Sequence, residues 1–566
     1  MGKMQRNVNL LKDREFDVVI IGAGIYGATA AWEAASRGLS VALIDRGDFG
    51  GFTSANSLKT VHGGLRYLQT LDVARVRESI RERRILLKIA PHLVSPLCCV
   101  MPTYGHLMKS KWVMRLGLLA NDILSFDRNR GLDPERRIPA GKVISRQDCL
   151  GIVLGIDGTR VTGGAMWSDA QMASSERLLL SFILSAVQAG AVAVNYQEAV
   201  GFLLSRNRIH GVKVKDRLTG GETEVRSKVV LNAAGGFVDT VLSKAIPGIA
   251  RKKVQLSTAM NLVLGKRLLP GCAAGVTSRF SHTRKDGRVF RGKRVLFFAP
   301  WGEFTLIGTH HRPYAGDPDG LAVTEEEIAT FLHEASAAYP GTALQREDVT
   351  FFHKGFLPMD GLDSGTGEVR LTKHYRVHDH ARENGVEGLV SVVGVKYTTA
   401  RDVARKTVDI LTGKLKGESG RSATHRTPLH GGDIQRFEKF QDKVAESAPF
   451  DLARKVTDRL TVHYGTDFPN VLKFIEKNPE LGGTVPGSDR VIAAEIVHAV
   501  REEAAVKLAD VILRRTNLGA AKHPGAECLE FCAGLMAKEL GWDKSKIRRE
   551  IEETGAVYQP VRKGSP

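Results

Sequence analysis

Asp17-Val18-Val19-Ile20-Ile21-Gly22-Ala23-Gly24-Ile25-Tyr26-Gly27-Ala28-Thr29-Ala30-Ala31 decides the fold. The unbroken apolar run Val18–Ile21 predicts a strand buried on both faces. Gly22, Gly24 and Gly27 stand in G-x-G-x-x-G spacing, and the alanine-rich stretch after them favours a helix. Gly38 ends that helix. Ser40-Val41-Ala42-Leu43-Ile44 predicts a second buried strand, closed by Asp45. In such a unit Gly22 allows the tight turn, Gly24 lets a pyrophosphate approach the backbone, and Gly27 lets helix and strand pack closely. The helix start offers free N–H groups and the positive end of its dipole. An acid at the position of Asp45 can hydrogen-bond ribose hydroxyls. Strand, helix, second strand and terminal acid together predict a dinucleotide site.

The chain has 566 residues, room for two or three domains. With 43% hydrophobic and 25% charged residues it reads as a soluble globular protein. No apolar run approaches the ~18–20 residues that span a bilayer. The start Met1-Gly2-Lys3-Met4-Gln5-Arg6 lacks the apolar core of a secretory signal. Cys98, Cys99, Cys149, Cys272, Cys528 and Cys532 show neither metal-ligand spacing nor a disulfide framework, which predicts a reducing cytoplasm. The net charge of +19 invites a polyanion: nucleic acid, an anionic membrane or a phosphorylated substrate. No nucleic-acid-binding motif accompanies it, so no nucleic acid is expected.

Beyond Asp45, Phe52–Leu68 is dense in hydroxyls, glycines and cations, including Ser54, Ser57, Lys59, His62, Arg66 and Tyr67. Such a loop can coordinate a cofactor's polar middle. Leu71–Leu93 reads as a basic helix whose charged face is expected to be solvated. His106–Leu119 mixes cations with Met108, Trp112, Met114 and leucines, and suits a helix lying in a membrane interface or packing as an amphipathic helix. Residues 128–160 are loop-rich. A helical pattern is read from Asp169 to Ala189, then strands at Val192–Asn195, Ala199–Leu204 and Ile209–Val214. Lys228–Asn232 is another buried strand, ending in Ala233-Ala234-Gly235-Gly236. Ligands gather at the carboxyl ends of parallel strands, so this turn should approach the same cofactor. Alternation at Met260–Leu264, Arg294–Phe298 and Thr305–Gly308 predicts an antiparallel sheet. Leu389–Gly394 is a last buried strand, leading through Val395, Lys396 and Thr398 into a helix to Leu411. Gly413–Thr427 is polar and marks a boundary. Helices follow at Asp451–Tyr464, Pro469–Lys477, Asp489–Ala509 and Ala526–Leu540, with Glu502 and Glu503 read as solvent-facing partners of Lys507.

These residues resemble the flavin-dependent, aerobic, quinone-linked glycerol-3-phosphate dehydrogenases among the D-amino-acid-oxidase-like flavoproteins. The resemblance covers nearly the whole chain. It rests on Gly22–Gly27, on His62-Gly63-Gly64-Leu65-Arg66-Tyr67-Leu68 above all, and on Asn232-Ala233-Ala234-Gly235. Pro300-Trp301, Ile307-Gly308-Thr309, Gly394–Thr399 and Val500–Thr516 extend it. It implies an α/β fold: a doubly wound, Rossmann-like FAD-binding domain (1–100, 160–253, 356–415) interleaved with an antiparallel-sheet substrate domain (101–159, 254–355), plus an all-helical C-terminal cap (416–566).

The resemblance also implies non-covalent FAD, oxidation of sn-glycerol 3-phosphate to dihydroxyacetone phosphate, and transfer of electrons to a quinone. The protein would be cytoplasmic, attached peripherally to the inner membrane face; self-association into a homodimer is left open. Arg66, Tyr67 and Lys396 resemble the family's substrate contacts. Gly22, Gly24, Gly27, Asp45, Ser54, Ser57, Lys59, His62, Val200, Ala234, Gly235, Gly394, Lys396 and Thr398 form the expected cofactor set. His62, Arg66 and Lys396 are the catalytic candidates. An imidazole changes charge near neutrality, so His62 suits proton transfer, and flavin positioning is its other role. His310 and His311 are alternative bases, read as surface residues. No metal is expected.

Four strings depart from the family's pattern. Leu357 stands where Arg-Pro-Leu has its arginine, and Asn261 stands where Lys-Gly-Ser-His has its histidine. Gly-Gly-Lys is Gly394-Val395-Lys396, and Thr-Thr-Tyr-Arg is Thr398-Thr399-Ala400-Arg401. The first two leave open a second reading, the same fold acting on another hydroxy acid, polyol phosphate or amine. A third is a non-catalytic nucleotide- or nucleic-acid-binding protein, and NAD in place of FAD is conceivable from the glycine turn alone.

Overall fold

The computed structural model describes residues 4–105, 110–245, 254–283, 289–415 and 419–561. The opening stretch forms β1 (Glu15–Ile21), α1 (Ile25–Ser36) and β2 (Val41–Ile44). They seed a sheet ordered Arg376–Asp379, Leu389–Val393, Glu222–Asn232, β1, β2, Val192–Val194. Only the edge strand Arg376–Asp379 runs antiparallel to its neighbour in that row. Alternate residues of a strand face opposite sides. Val18, Ile20, Leu43, Leu231 and Val390 therefore meet α1 and the helices Ser175–Gln188 and Ala400–Leu415. Val19, Ile21, Ala42, Ile44 and Val230 meet the antiparallel arm Gln197–Ser205 and Arg208–Asp216, together with helix Val238–Ala245. The apolar runs are continuous because both faces are covered.

A second sheet has ten strands. Its order is Val369–Leu371, Val349–Leu362, Gln255–Leu264, Phe304–Tyr314, Val289–Trp301, Cys272–Thr283, Val94–Tyr104, Val161–Met172 and Thr60–Val61, with Lys142–Ile144 beside Val161–Met172. Leu262, Phe298 and Ile307 pack it against helix Glu325–Ala338. Val161–Met172 and the end of Val349–Leu362, from Phe356 onward, belong to this sheet, although they lie outside the stretches 101–159 and 254–355. The C-terminal region is helical, as the sequence predicts, from Phe437–Ser447 to Lys544–Ala556.

Several local readings are corrected. Asp169 lies in a strand, and the helix begins only at Ser175. The basic helix is Val73–Ile89, with Arg75 and Arg83 buried. The helix over Asp489–Ala509 is shorter, Ala493–Glu502, and a π-turn Asp510–Arg515 follows it. Cys98 and Cys272, 174 residues apart, face each other on neighbouring parallel strands and are joined by a disulfide. A pairing made by strand order has no counterpart in sequence spacing. Within His106–Leu119, His106–Lys109 lie outside the described residues; the rest opens helix Lys111–Leu124. Residues 416–418 of the boundary stretch are likewise outside them. Among the described residues, no helix is long and apolar enough to cross a membrane, and no cluster of His, Cys, Asp or Glu is arranged to hold a metal.

Candidate active site

The glycine turn sits at the carboxyl ends of β1 and Glu222–Asn232. Gly22 has φ +97°, and a Cβ there would lie 2.8 Å from the Ala233 carbonyl oxygen. A Cβ on Gly27 would lie 1.8 Å from the Gly22 oxygen, so helix and turn touch backbone to backbone. A Cβ on Gly24 would meet only Ser54 Oγ, at 3.2 Å. The space above Gly24 is thus open, at the first turn of α1, as a pyrophosphate requires. Ser54 Oγ accepts from Ile25 N (2.9 Å), tying the second loop to the helix start. Asp45 accepts from Ala23 N (2.6 Å) and Gly47 N (2.9 Å). Burial pushes its carboxyl up to about 6 against those two donors. Val200 lies on the strand whose first residue, Gln197, donates its N–H to the Asp45 carbonyl (2.6 Å). Ala234 and Gly235 flank the glycine turn, and nothing lies within 4 Å of a Cβ on Gly235. This cradle fits FAD.

The second loop carries the reactive side chains. His62 N donates to Thr398 Oγ1 (3.1 Å), joining the two halves of the site across 336 positions of sequence. His62 Nδ1 faces Asp169 Oδ2 at 3.4 Å. The same carboxylate accepts from Gly63 N (2.5 Å) and from Arg83 (3.0 Å). Burial alone would raise Asp169; His62, Arg83 and the Gly63 N–H outweigh it and hold the carboxyl down at about 2. Arg66 is exposed and lies near enough to Tyr67, His311 and Glu368 to act on their titration. The Tyr67 ring has the Arg75 guanidinium 3.9 Å and Lys396 Nζ 4.0 Å from its centroid. Lys396 Nζ also donates to Ser79 Oγ (3.3 Å). Burial and the neighbouring Arg75 charge lower the Lys396 ammonium to about 7.

The Lys396 loop is moulded on Tyr26. The Tyr26 hydroxyl donates to the Lys396 carbonyl (2.6 Å) and accepts from Val395 N (3.0 Å) and Lys396 N (2.9 Å). A Cβ on Gly394 would fall 1.9 Å from the Tyr26 ring, which is why glycine stands there.

Not every expected contact is free to reach a cofactor. Ser57 Oγ accepts from Lys59 N (3.2 Å). Lys59 is fully buried, and its ammonium is committed to Ala55 O, Ser175 Oγ and Glu176. It holds the loop from behind rather than reaching a ligand with its side chain. Leu357 is half-buried opposite Ser257. Asn261 is buried and accepts from Thr309 Oγ1 (2.8 Å). His310 and His311 are not surface residues: burial and Arg294 lower them to about 3 and about 4. Asp169, Arg75, Arg83 and Ser79 were missed from the sequence. Their only signal was a basic helix and a lone acid, and their roles come from long-range pairing.

A family model described as FAD dependent oxidoreductase matches residues 17–395, and one described as the C-terminal domain of alpha-glycerophosphate oxidase matches 422–547. The chain is 31% identical to a glycerol-3-phosphate dehydrogenase of Synechocystis sp. over 97% of both chains. It is 30% identical to one of Mycobacterium leprae, over 95% of this chain and 87% of that protein. In fold it is similar to a glycerol-3-phosphate dehydrogenase from Bacillus halodurans complexed with FAD, with a TM-score of 0.73 and 23% identity over 97% of this chain and 96% of that one. Matched over most of its length, and with the cradle already described, the chain belongs to the FAD-dependent oxidoreductases that carry the alpha-glycerophosphate-oxidase C-terminal domain, and FAD is its cofactor.

Proposed function

We propose that this enzyme oxidises sn-glycerol 3-phosphate to dihydroxyacetone phosphate and passes the electrons to a quinone at a membrane surface. The observation that carries the reading is Tyr67 packed against Lys396, with Arg66 beside it, next to His62, whose N–H donates to Thr398 and whose ring faces Asp169 of strand Val161–Met172. The names of the relatives over nearly full length support it. Bound FAD supplies a two-electron acceptor for the hydride. Arg66 and Lys396 match the charge of a phosphate, and Arg75 stiffens the pair through the Tyr67 ring. Asp169 draws the Nδ1 proton of His62 and leaves Nε2 to accept the substrate's hydroxyl proton. For attachment to the membrane, helix Lys111–Leu124 exposes Trp112 (73%) and Leu116 (65%), with Phe126 (81%) just beyond its end.

A second reading keeps the fold and changes the substrate. Leu357 and Asn261 favour it, because the roof strands there offer an apolar side chain and an amide already bonded to Thr309. Anaerobic bleaching of the flavin against glycerol phosphates, hydroxy acids and amines decides between them. Rapid bleaching by glycerol 3-phosphate supports the first. Bleaching only by a non-phosphorylated substrate overturns it in favour of the second.

A further inference from the structure

The string Asp510–Thr516 takes no part in the chemistry above, yet its arginines leave the C-terminal region and converge on one carboxylate of the cofactor-binding domain. Arg515 donates from both terminal nitrogens to Asp48 (2.6 and 2.8 Å), and Arg514 Nε donates to it at 2.5 Å. Asn195 Nδ2 adds a fourth bond (3.0 Å). The side chains of Asp48 and Arg515 are each 1% exposed. Arg514 also donates to Asp510 (2.7 Å), which accepts from the Tyr196 hydroxyl (2.6 Å). Two acids and two guanidiniums thus form a neutral, buried cluster.

Asp48 lies three residues beyond Asp45, on the same short loop. The loop's other bonds lead to the same place: Tyr196 N donates to the Gly47 carbonyl (2.9 Å), and Gln197 N donates to the Asp45 carbonyl. The Arg514 side chain also closes on Gly51, where a Cβ would lie 3.8 Å from its guanidinium carbon. Burying four charges gives little net stability over an apolar junction of the same shape. What such a cluster does supply is a fixed position, since each bond has a required direction.

We infer that Arg514 and Arg515 clamp the loop that presents Asp45 to the adenosine ribose, so that docking of the C-terminal region sets how tightly FAD is held. The inference rests on Asp45 being the ribose acid.

The holoenzyme is stripped of flavin and titrated with FAD and with FMN, which lacks the adenosine. The test variant is the double replacement Asp48→Asn with Arg514→Leu, which removes one charge of each sign. FAD is expected to bind at least tenfold more weakly, with FMN affinity within twofold of the parent. Unchanged FAD affinity overturns the inference. An equal loss for both flavins also overturns it, because the cluster then only supports the fold. Should the double variant not fold, Arg514→Lys, which keeps the charge and loses the fork, is read in the same titration and with the same criteria. Asp45→Ala separates the premise from the inference: if it leaves the FAD-to-FMN ratio unchanged, the ribose assignment fails first.

Discussion

Asp169 is the residue whose loss should be most informative. It is a buried carboxylate with an imidazole, a guanidinium and a backbone N–H upon it. Asp169→Asn keeps the shape and removes the charge that orients His62. General-base catalysis contributes roughly 10²–10⁴-fold, so kcat is expected to fall about a hundredfold with FAD content unchanged, as measured by turnover and flavin absorbance. Lys396 gives a pH test. Its ammonium, lowered to about 7, is charged below that pH and neutral above it. The folded chain therefore binds fewer protons than the unfolded one between about 7 and 10.5, and stability rises with pH across that window. Substrate binding has the opposite sense. A phosphate needs the cation, so KM for glycerol 3-phosphate is expected to rise up to tenfold per pH unit above about 7. Lys396→Arg, charged throughout, should flatten that rise; a parallel rise in both proteins would show that Lys396 does not hold the phosphate. Leu357→Arg should improve kcat/KM on glycerol 3-phosphate if the pocket keeps that substrate, and should harm native activity if the guanidinium is buried unmatched. Gly22, Gly24, Asp45 and the His62–Tyr67 string were legible because their meaning lies in close spacing. Asp169 was not, since its partners are 86 to 107 positions away.

At the scale of elements, patterning worked where one face or both faces of a strand were uniformly covered. It failed at Asp169–Met172, the end of strand Val161–Met172, because those residues run without a strong break into the helix that begins at Ser175. It failed again on Val73–Ile89, whose arginines looked solvated because their acids lie elsewhere in the chain: Arg83 meets Asp169, and Arg75 stacks on Tyr67. Helix Lys111–Leu124 is the reverse case, with an apolar face legible in the sequence and left bare in the fold. Of its residues only Leu118 is buried, while Trp112, Leu116, Leu119 and Ile123 are open to solvent. Inserting an apolar side chain into a bilayer interface gains about 1.5 kcal/mol or more. Replacing Trp112, Leu116 and Leu119 by serine is then expected to lower partitioning onto anionic vesicles by roughly a thousandfold, at ~1.4 kcal/mol per tenfold. Co-sedimentation with vesicles measures it, and equal pelleting of variant and parent would remove this helix from the membrane reading.

Across the whole molecule, the C-terminal region is bound to the rest by charges that the sequence did not reveal. Glu503, read as a solvent-facing partner of Lys507, is 1% exposed and paired with Arg177 and His498. Lys507 pairs with Glu553 instead. Helical spacing could not show this, because the helix stops at Glu502 and Glu503 turns inward. Burial alone would raise the Glu503 carboxyl; Arg177, His498 and Arg515 outweigh it and hold it well below the ordinary glutamate range. A carboxylate depressed in this way adds stability above its unfolded pKa of ~4.3, and the contribution is lost as pH falls through and below that value. Asp48 has the same sense, held down by Arg515 and Arg514. Undocking of the C-terminal region should therefore need strong acid: the thermal midpoint is expected to hold from pH 7 to about 5 and to fall below about 4. Glu503→Gln leaves the Arg177 guanidinium buried without its counter-charge, a change that costs about 3–5 kcal/mol when one member of a buried pair is removed. The variant should melt well below the parent at pH 7 and approach it as pH drops, because acid removes from the parent what the substitution has already removed. Melting curves that stay parallel over that whole range would mean that the Glu503 charge carries none of the docking.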